Sequence, residues 1–263
     1  VVEHYSSSKL IPILGKTIPY NHRDSKLDDM QINYSMEDGK TLRIVTALAI
    51  SHYGGNVWYD RKAAVDTGTW CTAIRPGYVK TTYEDVPSLL KFPVKNAKGA
   101  VLIIPGGGFV FGFDLLQKNQ GESDLLAKRL NELGYSAYVL NYRYNPYRIP
   151  VPMLDVQRAV RFLRYHAEDY GFPADKIHLL GGSAGGYLAA AHVNLVQNQN
   201  LFPEGYKKDK IDKVDASVKS IGLLYPATRM DHNLGVAQAI FEPEKLNTKT
   251  KRNALCRKYN LAL

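Results

Sequence analysis

Cysteine is scarce in this sequence: Cys71 and Cys256 are the only two among 263 residues. Two are too few for a disulfide framework, and neither sits in the C-x-x-C spacing of a metal site. Long apolar runs are missing too. The longest candidates, 44–50 and 99–104, fall well short of the roughly 18 residues a membrane-spanning helix needs. The opening residues show no basic stretch followed by an apolar one and a small-residue cleavage site, so the cytoplasm is the expected compartment. Internal repeats and low-complexity linkers are also absent. With 45% hydrophobic residues, disordered and collagen-like chains are excluded.

What is present in excess is positive charge. Thirty-four Lys and Arg stand against 25 Asp and Glu, a formal net charge of +9. Such a balance raises a nucleic-acid or acidic-surface partner. The charges are dispersed, however. Arg158, Arg161 and Arg164 alternate with apolar positions of one helix and read as its solvated face. The densest basic stretch, 207–213, is interleaved with Asp209 and Asp212. No nucleic-acid-binding motif accompanies the charge, so the expected partner is a small molecule rather than a nucleic acid or a membrane.

From about residue 77 onward, strand and helix patterns alternate. Residues 100–104 form a continuous apolar run stopped by Pro105 and three glycines, the pattern of a strand buried on both faces. A helix is predicted over 123–133, with Leu126, Leu130 and Leu133 on one face and Gly134 as its stop. A strand follows at 136–141. A second helix is predicted over 152–170, where Met153, Val156, Val160, Leu163 and Ala167 recur at three and four residues before Gly171. Then come a strand at 177–180, a helix at 184–196 and a strand at 218–225 closed by Pro226. Strands alternating with helices predict a parallel sheet with right-handed crossovers.

The first 75 or so residues break this rhythm. Residues 41–52 and 57–66 fit short helices, with Leu42, Val45 and Ala49 on one helical face, but strand is equally open there. Antiparallel edge strands are predicted within 83–94, because Pro87 and Pro93 are tolerated at edges and turns. The expected organisation is an N-terminal appendage or cap over 1–76 and a core over 77–263. The appendage is expected to cover the catalytic edge.

Gly181-Gly182-Ser183-Ala184-Gly185 fits G-x-S-x-G, and it stands between a buried strand and a helix. A nucleophilic serine on such a turn is held in a strained backbone, and small neighbours remove clashes with the strand and helix. Its hydroxyl then projects at the positive end of the following helix. A phosphate-binding turn is disfavoured, since neither G-x-G-x-x-G nor G-K-[ST] is present. Gly106-Gly107-Gly108 follows the 100–104 strand. A glycine run there leaves backbone N–H groups to converge on an anion, as acyl transfer requires where the carbonyl oxygen becomes negative.

In this order and topology, the two motifs resemble the α/β-hydrolase superfamily, and within it the esterases and lipases with an HGGG-type loop. The resemblance covers about residues 77–230. The histidine that usually leads the glycine run is Pro105 here. The resulting Pro-Gly-Gly-Gly-Phe is similar to acetylxylan-esterase-like and feruloyl-esterase-like hydrolases, which shifts the expected substrate towards acylated carbohydrates. The resemblance implies Ser183 as nucleophile and the N–H groups of Gly107, Gly108 and Ala184 as oxyanion hole. It implies no metal or organic cofactor. Asn141-Tyr142-Arg143 and Asp155 also match that group and read as scaffold.

The serine still needs a base. His192 lies nine residues along the helix, roughly 13 Å from Ser183 at 1.5 Å per residue. His178 lies five residues back along the strand, roughly 16 Å at about 3.3 Å per residue. His166 sits in the preceding helix. His4, His22 and His52 precede the core, in an order the superfamily does not use. His232 is on the correct side of the sheet, but its neighbour Asp231 is poorly placed as an adjacent acid. The resemblance implies that acid and histidine follow on two later βα units, roughly 60–90 residues more. The core is therefore expected to be incomplete at its C-terminal end, with residues 218–225 left as an open sheet edge through which copies could pair.

Three function classes remain open. One is a serine ester hydrolase working through an acyl-enzyme. Another is an inactive α/β-hydrolase fold that binds a ligand or partner, or an inactive fragment, since the 263 residues alone are expected to lack the base and so to be inactive. The third is a basic nucleic-acid-binding protein, recognisable by a steep salt dependence. The intact serine turn and glycine loop favour the first. The 18 tyrosines fit either a sugar-binding cleft or ordinary packing.

Overall fold

The computed structural model describes residues 10–20, 31–35, 41–48, 69–74, 86–109, 122–144, 147–230, 237, 239–241, 245 and 248–261, with 31–35, 41–48 and 69–74 as backbone only. Continuous apolar runs become the centre of the sheet. Strands β6 (Ala100–Ile104) and β7 (Ser136–Asn141) are buried at every position. They lie in a six-stranded sheet with β1 (Leu10–Pro12), β5 (Ser88–Phe92), β8 (Ile177–Gly182) and β9 (Ser220–Leu224), in the order β1-β5-β7-β6-β8-β9. The pairs β7–β6, β6–β8 and β8–β9 are parallel, and β1–β5 and β5–β7 are antiparallel.

Side-chain alternation along the strands splits the core in two. Ala100, Leu102 and Ile104 point into a large cluster with Leu154, Val160 and Leu163 of helix α2 (Val151–Tyr165) and with Leu188 of α3 (Ala184–Ala191). Val101 and Ile103 point the other way, to Ala127, Leu126 and Leu130 of α1 (Glu122–Glu132). Each fully buried Leu, Ile or Val among them contributes about 1.5–3 kcal/mol over its exposed state. Helix α1 thus covers one face, and α2 and α3 cover the other. The strands β6 and β8 are neighbours whose following helices leave on opposite faces. Between their carboxyl ends lies the crevice where open α/β sheets bind ligands.

Several expectations change in detail. Helix α2 ends at Tyr165 rather than 170, and the chain turns through 166–171 to Gly171 at φ 72°. Helix α3 stops at Ala191 and continues as one π-turn, His192–Val196. Leu133 falls beyond α1 and is exposed. Residues 41–48, open to helix or strand, are strand β3, between β2 (Gln31–Ser35) and β4 (Thr69–Ile74) in a separate three-stranded sheet. The segment 57–66 lies outside the described residues. Strand β5 is antiparallel as expected but internal. Pro87 and Pro93 flank it and remove no hydrogen bond from its ladder. The outer place belongs to β1, whose residues 10–12 pair with β5.

The basic face of α2 is a correction. Arg158 is buried, because its charge is matched inside the protein. Its Nη1 donates to Asp212 at 2.5 Å and Asp209 at 2.7 Å, Nη2 donates to Asp209 at 2.8 Å, and Nε donates to the Ile13 carbonyl. Arg161 donates to the Val214 carbonyl, and Arg164 to those of Ala174, Asp215 and Ser217. The three arginines therefore bind the segment between α3 and β9 onto α2. They are not a solvated stripe. Among the described residues no helix is long and apolar enough to cross a membrane.

Candidate active site

The turn after β8 is shaped by what its glycines exclude. A Cβ on Gly185 would fall inside the van der Waals envelope of the Ile104 carbonyl, and one on Gly181 would collide with the Gly185 carbonyl. With neither present, strand and helix close on each other around Ser183. That serine takes φ 51°, ψ −116°, a region L-residues rarely occupy. Three main-chain hydrogen bonds hold it there. Its N–H donates to the Leu224 carbonyl at 2.9 Å, and its carbonyl accepts from Tyr187 at 3.0 Å and Ala227 at 3.2 Å. Ser183 is half-buried, and Ala184 behind it is fully buried at the first turn of α3.

The glycine loop leaves the neighbouring strand at the same edge. A Cβ on Gly106 would stand 3.2 Å from Ser183 Cβ, so the two motifs touch. Gly107, Gly108 and Phe109 follow with φ of 116°, 62° and 62°. Phe109 anchors the loop, buried with its ring edge-on to Tyr187 at 6.0 Å. A second anchor is the Tyr142 hydroxyl, which donates to the Pro105 carbonyl at 3.0 Å. Next to it, Arg143 and Asp155 make a fully buried ion pair, bidentate at 2.6 and 2.9 Å. The Asp155 carboxylate also accepts the Arg143 N–H at 2.9 Å. This pair fastens the end of β7 to α2, the scaffold role expected for it.

The histidines of the core lie elsewhere. His178 Nδ1 is 2.8 Å from Ser220 Oγ, at the far end of β8 from Ser183. His192 is buried, its Nε2 2.7 Å from the Ala216 carbonyl, while its Nδ1 has no hydrogen-bond partner among the described residues. Burial lowers its pKa to about 4, so the ring is neutral at neutral pH. His166 pairs with Asp169 at 3.1 Å on the surface. Asp231 and His232 lie outside the described residues. Ser183, Gly106 and Ala184 are thus brought together, with Gly107 and Gly108 in the adjoining loop. Tyr142, the residue directly after β7, was read from the sequence as scaffold; its hydrogen bond to the glycine loop was not.

Comparison with known proteins sets this geometry in a wider context. The family described as BD-FAE matches residues 90–255. The probable carboxylic ester hydrolase LipM of Mycobacterium tuberculosis is 34% identical over 128 residues, which is 48% of this chain and 28% of that protein. The acetylxylan esterase of Xylanibacter ruminicola is 28% identical over 100 residues, 38% of this chain and 20% of that one. Among solved structures, an acetyl ester-xyloside bifunctional hydrolase from Caldicellulosiruptor lactoaceticus is 29% identical with a TM-score of 0.51. The match covers 69% of this chain and 65% of that chain. The chain spans between 20% and 35% of the length of these curated relatives and of the bovine arylacetamide deacetylase.

Proposed function

The chain belongs to the BD-FAE family and has the α/β-hydrolase fold of its esterase relatives, and from that premise we propose that it carries the nucleophile and oxyanion hole of a serine carboxylic ester hydrolase. In this reading, Ser183 Oγ attacks the ester carbonyl carbon. The carbonyl oxygen takes up negative charge, and the N–H groups of Gly107, Gly108 and Ala184 stabilise it. The alcohol leaves with a proton, and water releases the acid from the acyl-serine. The base that takes the serine proton is a histidine other than His166, His178 and His192, whose partners hold them away.

One observation carries the proposal: a serine in a strained left-handed conformation touches a glycine loop at the sheet's switch point. Such strain persists where surrounding structure imposes it, and it clusters at reactive sites. The proposed substrate is a small acyl ester of a carbohydrate. The similarity to an acetylxylan esterase and to an acetyl ester-xyloside bifunctional hydrolase, with the Pro-Gly-Gly-Gly-Phe loop, supports that choice. The engagement of the three core histidines favours a second reading, an inactive fold that binds its ligand.

A fluorophosphonate probe separates the two. In the complete protein, labelling should map to the peptide holding Ser183 and vanish in Ser183→Ala, along with hydrolysis of an aryl acetate. A label on another serine would overturn the assignment. No label on any serine would favour the binding reading.

A further inference from the structure

The strand beyond β8 delivers a third loop to the same edge. Among the described residues, five non-glycine residues have left-handed backbone: Tyr20, Asn96, Phe109, Ser183 and Tyr225. Phe109 closes the glycine loop, and Ser183 is the proposed nucleophile. Tyr225, at φ 38°, follows the last residue of β9. Three of the five therefore sit at the carboxyl ends of the neighbouring strands β6, β8 and β9. A large aromatic residue gains nothing locally from this conformation, which glycine or asparagine adopts more easily.

The surroundings show what imposes it. The Ser183 N–H is bonded to the carbonyl just before Tyr225, and the Ser183 carbonyl to the N–H two residues after it. Tyr225 and Pro226 are thus bracketed by the serine's own peptide groups. Pro226 packs on the helix start, its Cβ 3.0 Å from where a Cβ on Gly186 would stand. The Tyr225 ring reaches back over the elbow. Its Oη and Cζ lie 3.4 and 3.6 Å from the position of a Cβ on Gly182. Yet 65% of Tyr225 remains exposed, the largest value among the exposed large apolar side chains described.

We propose that Tyr225 is a substrate-positioning platform, on which the sugar ring of an acylated carbohydrate rests beside Ser183. The inference rests on the reading of Ser183 as nucleophile. The glycine loop occupies one side of the serine and receives the carbonyl oxygen. Tyr225 follows β9, across β8 from the glycine loop, and the proposal seats the sugar of the ester on that side. An exposed tyrosine ring offers an apolar face, which matches the C–H face of a pyranose.

Binding of xylotriose to the 263-residue chain carrying Ser183→Ala, followed by calorimetry, tests this without turnover. Tyr225→Asn removes the ring but tolerates the left-handed backbone, and it should weaken binding about tenfold or more. Tyr225→Trp restores an aromatic face and should stay within about threefold of tyrosine. Binding indifferent to Tyr225→Asn, or absent with tyrosine in place, overturns the platform. So does a Trp variant that melts normally but binds as poorly as the Asn variant, since the residue would then only shape the corner. The underlying reading fails separately, through a fluorophosphonate that labels a serine other than Ser183 in the complete protein.

Discussion

At φ 51°, Ser183 stores strain on the order of 1–3 kcal/mol, offset by its three main-chain hydrogen bonds. The same economy of space governs the loop opposite. Gly108 adopts φ 62°, where a β-branched residue is strongly disfavoured. Gly108→Val should therefore displace an oxyanion donor and lower aryl-ester turnover by about 10²-fold or more. A loss of only a few-fold would remove this loop from the oxyanion hole. His192 poses a different residue-scale problem. Its pKa lies near 4 in the fold against about 6.5 unfolded, so the unfolded chain binds a proton that the folded chain refuses. Its stabilising effect is complete above pH 6.5 and falls away between pH 6.5 and about 4, on the order of 3 kcal/mol across that window. Melting temperatures at pH 7 and 4.5 should drop less in His192→Gln than in the parent chain. Equal drops would show that other groups govern this range. The serine turn was legible in the sequence because steric exclusion permits few residues there. Tyr225 was not, since no glycine or asparagine announces a left-handed tyrosine.

At the scale of elements, the buried strands were the easiest to read. Residues 100–104 are apolar throughout and 137–140 likewise, and both faces of each strand are covered. Strand β1 escaped notice because three residues carry no periodicity. Strand β3 stayed undecided because Leu42, Val45 and Ala49 mimic a helical stripe. Helix α2 misled for a physical reason: arginines at regular spacing look solvated until their carboxylate partners, some fifty residues on, are known. Removing Arg158 leaves Asp212 buried without its cation, an arrangement that typically costs about 3–5 kcal/mol. Arg158→Met is thus expected to melt well below the parent chain, and Arg158→Met with Asp212→Leu to recover much of the loss. Asp209 adds an acid limb. The hydrogen bond from Arg158 holds its carboxyl down to about 2, against the opposing effect of burial. Its contribution is present above its ordinary pKa near 3.8 and disappears as pH falls towards 2. Denaturation below pH 4 should accordingly be steeper in the parent than in Arg158→Met. Matching slopes would place the acid sensitivity elsewhere.

The whole molecule has two unlike sheet edges among the described residues. On one side, β1 is three residues long and ends in Pro12, so it offers little to a foreign strand. On the other, β9 runs Ser-Ile-Gly-Leu-Leu with neither proline nor charge, and Leu223 is 38% exposed. Its paired neighbour is β8, with Leu223 opposite Gly181. An uncharged, partly apolar edge invites strand addition, whereas a lysine placed there discourages it. The contrast between the two edges was not legible in the sequence, because the three residues of β1 carry no pattern that marks a strand. The 263-residue chain is therefore expected to associate through β9, with a sedimentation coefficient that rises with concentration. Leu223→Lys should shift it towards the monomer and leave the melting temperature nearly unchanged, because the side chain is already partly in water. A parent chain that stays monomeric at every concentration, or a lysine variant that associates as strongly, would show that this edge recruits no second copy.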